Sequence, residues 1–155
     1  MDFVNIFITF SGRINRAKYW IAAIVYAAIS LVFNGAAYFA DQSTAVSTIN
    51  AIVSVVVMVS SIGVTVKRLH DRNKSGWYVL LFVIAPAILL GTGLVVGTMA
   101  SGSGFVATTL WLLAFAILIW AFVDLGCLRG SIGQNKYGPD PLAPDVLTPP
   151  VRTHA

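Results

Sequence analysis

Four apolar runs, Tyr19–Ala40, Ile49–Val66, Trp77–Met99 and Val106–Leu128, take up more than half of this 155-residue chain, and together they hold one charged side chain, Asp124. At 1.5 Å per residue the 22 residues of the first run make a helix of about 33 Å, enough to cross a hydrocarbon core of about 30 Å. The second run, rich in valine, would suit a buried strand in a soluble protein. A lone strand in lipid would leave its backbone unpaired, so a helix is predicted there too. The composition agrees. The chain is 57% hydrophobic and 10% charged, against about 25% charged residues in an ordinary soluble domain.

The ten Lys and Arg residues sort the connections into two sets. Arg13, Arg16 and Lys18 precede the first run. Lys67, Arg68, Arg72 and Lys74 lie between the second and third, and Arg129, Lys136 and Arg152 follow the fourth. The segments around Asp41 and Ser101 carry no basic residue. This alternation is the positive-inside pattern of four crossings with both termini in the cytoplasm. The fold class is therefore all-α: a polytopic membrane protein with a four-helix transmembrane bundle. Three regions follow: a cytoplasmic or interfacial N-terminal segment over 1–18, the membrane domain over 19–128, and a cytoplasmic Pro-rich tail over 129–155, expected to be extended and mobile beyond Pro141.

Tyr19-Trp20 and Trp77-Tyr78 on one side, and Tyr38-Phe39 and Trp111 on the other, mark run ends at the headgroup level. Trp120 does not fit this belt. It lies about two turns inside the fourth run, so either it faces the bundle or that boundary is displaced. Phe3, Ile6, Phe7 and Phe10 recur at helical spacing, which suits either a short interfacial helix or a packed N-terminal turn. The first run is too long for the apolar part of a signal peptide, and Tyr38-Phe39-Ala40 is no small-x-small cleavage site. Within the spans, Asn34, Asn50, Ser54, Ser60, Ser61 and Thr65 offer interhelical hydrogen bonds. Gly93 and Gly97 form a G-x-x-x-G packing motif, and Pro86 is expected to kink the third helix.

Three polar segments share the basic side. The first runs from Phe10 to Trp20 and includes Ser11-Gly12-Arg13. The second is Lys67-Arg68-Leu69-His70-Asp71-Arg72-Asn73-Lys74-Ser75-Gly76-Trp77. The third runs from Gly130 to Pro141 and includes Asn135-Lys136-Tyr137-Gly138-Pro139-Asp140-Pro141. In combination they closely resemble the family of small bacterial inner-membrane proteins called domain of unknown function 805, over roughly Phe3 to Pro141. The resemblance implies a multi-span inner-membrane protein and attaches no activity to it.

Candidate chemistry is sparse. His70-Asp71 invites a general-base reading, yet adjacent residues of a helix point about 100° apart and no nucleophile motif accompanies them. Asp71 is expected to pair instead with Arg13 or Arg16, or with Arg68 or Arg72, and the Asn135–Pro141 turn to pack on that cluster. Asp124, about one turn from the basic end of the fourth run, is expected in a structural ion pair with Arg129 or Lys67; an ion or proton relay is the alternative. His70, Asp71, Asp140 and His154 show no metal-ligand spacing, and no cofactor motif is present. Lys74-Ser75-Gly76 lacks the upstream glycine and the hydroxyl residue of a phosphate-binding loop. Cys127 has no second thiol to pair with.

The function expected from these features is a basic cytoplasmic face that binds anionic lipid headgroups or a protein partner, with homo-oligomerisation possible and nucleic acid unsupported by any recognition motif. Arg13, Arg16, Arg68, His70, Arg72 and Lys74 are the candidate contacts, with Trp20 and Trp77 setting the depth. One alternative is a small transporter or channel component using Asp124 and the Pro86/Gly91/Gly93 region. Another is an enzyme acting on lipid headgroups through His70 and Asp71.

Overall fold

The computed structural model describes residues 7–39, 43–99 and 104–143. Phe3 and Ile6 of the expected N-terminal stripe lie outside the described residues, as do Asp145, Arg152 and His154 of the tail. Among the described residues, four helical spans are long and apolar enough to cross a membrane. Their α-helical parts are labelled α1 (Arg16–Phe39), α2 (Thr44–Asp71), α3 (Ala85–Met99) and α4 (Gly104–Ala121). A π-helical turn, Leu80–Ile84, leads into α3, and a second, Phe122–Cys127, continues α4.

The helix ends differ from the limits of the apolar runs for identifiable reasons. The second run is the shortest by hydropathy, but α2 is the longest helix, at 28 residues. It starts early because Ser43 caps it, its hydroxyl accepting from the Val46 N–H at 3.5 Å. It ends late because Lys67, Arg68 and Asp71, which stop the apolar run, are buried by the fold rather than left at a surface. Asn73, at φ 57°, then turns the chain; asparagine tolerates the left-handed region better than most residues. In the third span Pro86 has no N–H to give the preceding turn. The disruption appears as a π turn immediately before it, where the Ala85 N–H reaches back to the Leu80 carbonyl.

The helices form two antiparallel hairpins, α1 with α2 and α3 with α4. Small residues bring α3 and α4 together. A Cβ on Gly93 would lie 2.5 Å from Trp111 Nε1, and one on Gly97 would touch the Ala107 methyl at 3.4 Å. The hairpins join mainly through the Phe122–Cys127 turn, which packs on both α1 and α2. The core lies in the same half of the molecule. Leu69, Val79, Phe82, Ala121 and Leu125 form one buried cluster, and Ile14, Ala22 and Val64 form another.

Phe7 belongs to that second cluster and meets Tyr26 edge-on at 5.8 Å, while its carbonyl accepts from Ser60 Oγ at 2.7 Å. The N-terminal segment is thus packed into the groove between α1 and α2 at Phe7. Phe10 lies over Gly63 and is half-exposed. Trp120 also finds its place: its ring meets Phe82 edge-on at 5.2 Å, beside the Leu80–Ile84 turn.

Candidate functional site

The basic end of the molecule is organised by two carboxylates. The first, Asp71, is the last residue of α2 and is 2% exposed. Its Oδ1 accepts from Arg13 Nη2 at 3.0 Å and Nε at 3.2 Å, and its Oδ2 accepts from Arg68 Nη1. Both arginine side chains are almost wholly buried. A buried guanidinium is tolerated only if its N–H groups are received, and here backbone carbonyls complete the task. Arg68 donates to Leu125 O at 2.7 Å and Leu128 O at 2.5 Å, at the end of the last span. Arg13 donates to Ser131 O at 2.6 Å, Gly133 O at 2.7 Å and Gly138 O at 3.2 Å. One carboxylate and two arginines therefore tie together the N-terminal segment, α2, the end of α4 and the segment after it.

Local turns place those carbonyls. Asn135 and Gly138 exchange backbone hydrogen bonds at 3.1 Å each way, closing a turn in which Gly138 sits at φ 135°, a conformation that favours glycine. The Asn135 amide donates to His70 O at 2.9 Å and to Ser131 Oγ at 2.8 Å, docking the turn on the end of α2. Asp140 holds the next bend. Its carboxylate accepts from the Gly133 N–H at 3.0 Å and the Leu142 N–H at 2.9 Å. Those two backbone donors, first Leu142 and then Gly133, keep the Asp140 carboxyl below its ordinary pKa.

The second carboxylate, Asp124, lies in the Phe122–Cys127 π turn and is 3% exposed. The expected partners were Arg129 or Lys67; the structure instead gives Lys74 Nζ at 2.8 Å and Arg72 Nη2 at 3.3 Å, both on the connection between α2 and α3. That connection folds back over the end of α4, which brings residues some fifty positions apart into contact. Arg129 is carried outward past the helix end and offers only its carbonyl, which accepts from Arg72 Nη1 at 2.5 Å. The Lys74 ammonium is also faced by three rings, Tyr78 at 5.4 Å and Phe82 and Trp120 at 5.9 Å. Asp124 Oδ2 and Arg72 Nε are buried without a hydrogen-bond partner.

His70 and Asp71 do not form a dyad. The Asp71 carboxylate is turned to the two arginines, whereas the His70 ring stacks on Tyr137 at 3.8 Å, with its Nδ1 3.3 Å from the Gly12 carbonyl. Trp20 reaches inward from α1, donating its indole N–H to the Gly126 carbonyl at 3.1 Å; Trp77 is 77% exposed. Among the described residues no group of three His, Cys, Asp or Glu is placed to hold a metal ion. Cys127 is an exposed free thiol.

The cations expected to face a ligand thus divide. Arg13 and Arg68 are consumed inside the fold, and burial removes them from any external contact. Arg72 and Lys74 are about one-quarter exposed and engaged with Asp124. Arg16 and Arg129 are exposed. Arg16 makes one long contact, to Cys127 O at 3.4 Å, and Arg129 donates no side-chain hydrogen bond among the described residues. Both line, together with Arg68 and Asp71, a cavity of about 150 Å³. Sequence reasoning left Arg129 off the candidate contacts by assigning it to Asp124.

Four apolar helices closed at one end by a buried arginine–aspartate lock define a polytopic α-helical membrane protein. The chain belongs to the family described as protein of unknown function DUF805, whose model matches residues 7–139. It is 34% identical over 135 residues to the uncharacterized protein YiiR of Escherichia coli K12, covering 85% of each chain. It is 23% identical to the inner membrane protein YhaH, covering 87% of this chain and 88% of YhaH, and 24% identical to the inner membrane protein YhaI, covering 87% of each; both are from the same organism. No solved structure matches this chain. With its four spans and these relatives, the protein is an integral protein of the bacterial inner membrane.

Proposed function

We propose that the basic end is an ordered platform, facing the cytoplasm, that binds the anionic headgroups of the inner leaflet. The observation that carries this reading is the division of the cations. Two carboxylates take up four basic side chains, while Arg16 and Arg129 stay exposed at the ends of the first and last spans and Lys136 stays exposed on the segment after them. Basic groups held at the headgroup level attract anionic lipid by about 1 kcal/mol each. The locked cluster supplies stiffness rather than contact, since it fixes the ends of α1 and α4 relative to each other and so sets where the free cations stand.

Native mass spectrometry of protein released from its membrane tests the reading. Anionic lipids should be retained over phosphatidylethanolamine beyond their share of the bilayer. A variant with Arg16, Arg129 and Lys136 all changed to Gln should lose that preference. Equal retention of anionic and zwitterionic lipid by the unmodified protein would refute the platform.

The other two readings have less geometric support. A path through the Pro86/Gly91/Gly93 region would have to pass Gly93, where the Trp111 indole already fills the space beside the backbone. Headgroup chemistry through His70 and Asp71 would require a carboxylate that two arginines already occupy.

A further inference from the structure

We infer that the cavity between Arg16 and Arg129 is a site for one phosphate group, best matched by a phosphomonoester headgroup. This rests on the platform reading and narrows it to a place and a ligand chemistry. The cavity lies at the headgroup level, because Arg16 opens the first span and Arg129 comes two residues after the last turn of the fourth. At about 150 Å³ it is well below the roughly 300 Å³ at which pockets for drug-sized ligands begin, so it suits a compact group rather than a sugar headgroup.

Its charge is unbalanced in one direction. Three arginines, Arg16, Arg68 and Arg129, line it against two carboxylates; Asp71 is held by Arg13 and Arg68, and the Asp140 oxygens are turned to backbone N–H groups. The Arg16 fork is spent on no carboxylate, and among the described residues its guanidinium makes one long contact, to Cys127 O at 3.4 Å. Arg129 makes no side-chain hydrogen bond among the described residues and acts on Asp140 only through its charge. Two arginine forks with unused donors lining one small hollow match the tetrahedral oxygens of a phosphate, which guanidinium groups bind in paired hydrogen bonds.

The test is calorimetric titration of the full chain in detergent with dihexanoyl phosphatidate, with dihexanoyl phosphatidylcholine as the zwitterionic control and inorganic phosphate as a second probe. Phosphatidate should bind and phosphatidylcholine should not. Arg16→Gln and Arg129→Gln should each weaken phosphatidate by roughly tenfold or more, the effect of removing a hydrogen-bonded charge, with Arg16→Lys and Arg129→Lys recovering part of it. Lys18→Gln, outside the cavity, should change affinity by less than about threefold. A melting temperature within about 2 °C of the unmodified protein certifies each variant as folded. Competition by inorganic phosphate would support the cavity with a soluble phosphate as its source; phosphatidate binding without such competition would support it with a lipid source. Arginine variants no weaker than Lys18→Gln would overturn the site. If those variants still prefer anionic lipid in native mass spectra, the platform stands without the cavity; if the unmodified protein shows no such preference, the platform itself fails.

Discussion

Gly130 lies so close to Asp71 that a Cβ added to it would overlap the carboxylate. The backbone after the fourth span therefore passes over the ion pair with no room for a side chain, and the Ser131 N–H reaches the Asp71 carbonyl at 2.8 Å. The close approach means that the lock is made of backbone as much as of charge.

Removing the charge should unfold this end of the molecule. Asp71→Asn leaves Arg13 and Arg68 buried with no anion, and breaking a buried pair in this way costs about 3–5 kcal/mol. Gly130→Ala keeps every charge but forces the backbone off the carboxylate, and should also lower the melting temperature. Thermal unfolding in detergent measures both. A Gly130→Ala protein as stable as the parent would show that the segment after α4 is not held down on Asp71.

The Trp20–Gly126 contact is a second place where a side chain and a bare backbone fit. A Cβ on Gly126 would come within 2.7 Å of Trp20 Cζ2, and the indole N–H bonds the Gly126 carbonyl. Gly126→Ala should displace the ring and separate α1 from the Phe122–Cys127 turn. Trp20→Phe should lose about 1 kcal/mol, the worth of one hydrogen bond, while keeping most of the packing. A larger loss from Trp20→Phe than from Gly126→Ala would contradict this ranking.

For Asp124 the decisive change is to Asn, which keeps the shape and removes the charge that Lys74 and Arg72 share. We expect a loss of about 1.5–3 kcal/mol, the range for hydrogen bonds to charged groups, with ion permeability of reconstituted vesicles unaltered. A folded variant that had lost a flux present in the parent would move Asp124 from structure to transport.

Asp140 makes the segment after the last span sensitive to acid. Its carboxyl has a folded pKa below the ordinary 3.8, so the stabilisation it gives is fully present above 3.8 and is lost as the pH falls through the lower folded value. Amide hydrogen exchange at Gly133 and Leu142 should be slow at pH 7 and accelerate, relative to the intrinsic rate, only below about pH 4. In Asp140→Asn the pH dependence should vanish. Protection that collapsed near pH 6 would point to another group.

The spans are legible in the sequence because lipid accepts only long apolar helices, and four such runs leave little choice. Their ends are not legible, because hydropathy treats any charge as a surface. Lys67, Arg68 and Asp71 close the second run on paper, yet α2 runs through them, since the fold itself supplies their burial. The π turns leave no mark in the periodicity beyond Pro86. The scarcity of acids directs attention to Asp71, and Asp71 lies between Arg13 and Arg68. Which of ten cations face inward is another matter. Arg13 and Arg16 are three residues apart in similar surroundings, and only the path of the chain after α4 decides that one is buried and the other exposed.

Because the two hairpins meet mainly through the Phe122–Cys127 turn and the core around it, the molecule is built like a pair of tongs riveted at one end. Its far arms are bounded by lipid rather than by each other, and a bilayer that thickens, thins or is squeezed sideways acts on them first. What holds the two arms in register is the rivet, where Trp20 is bonded to Gly126 and Arg68 to Leu125.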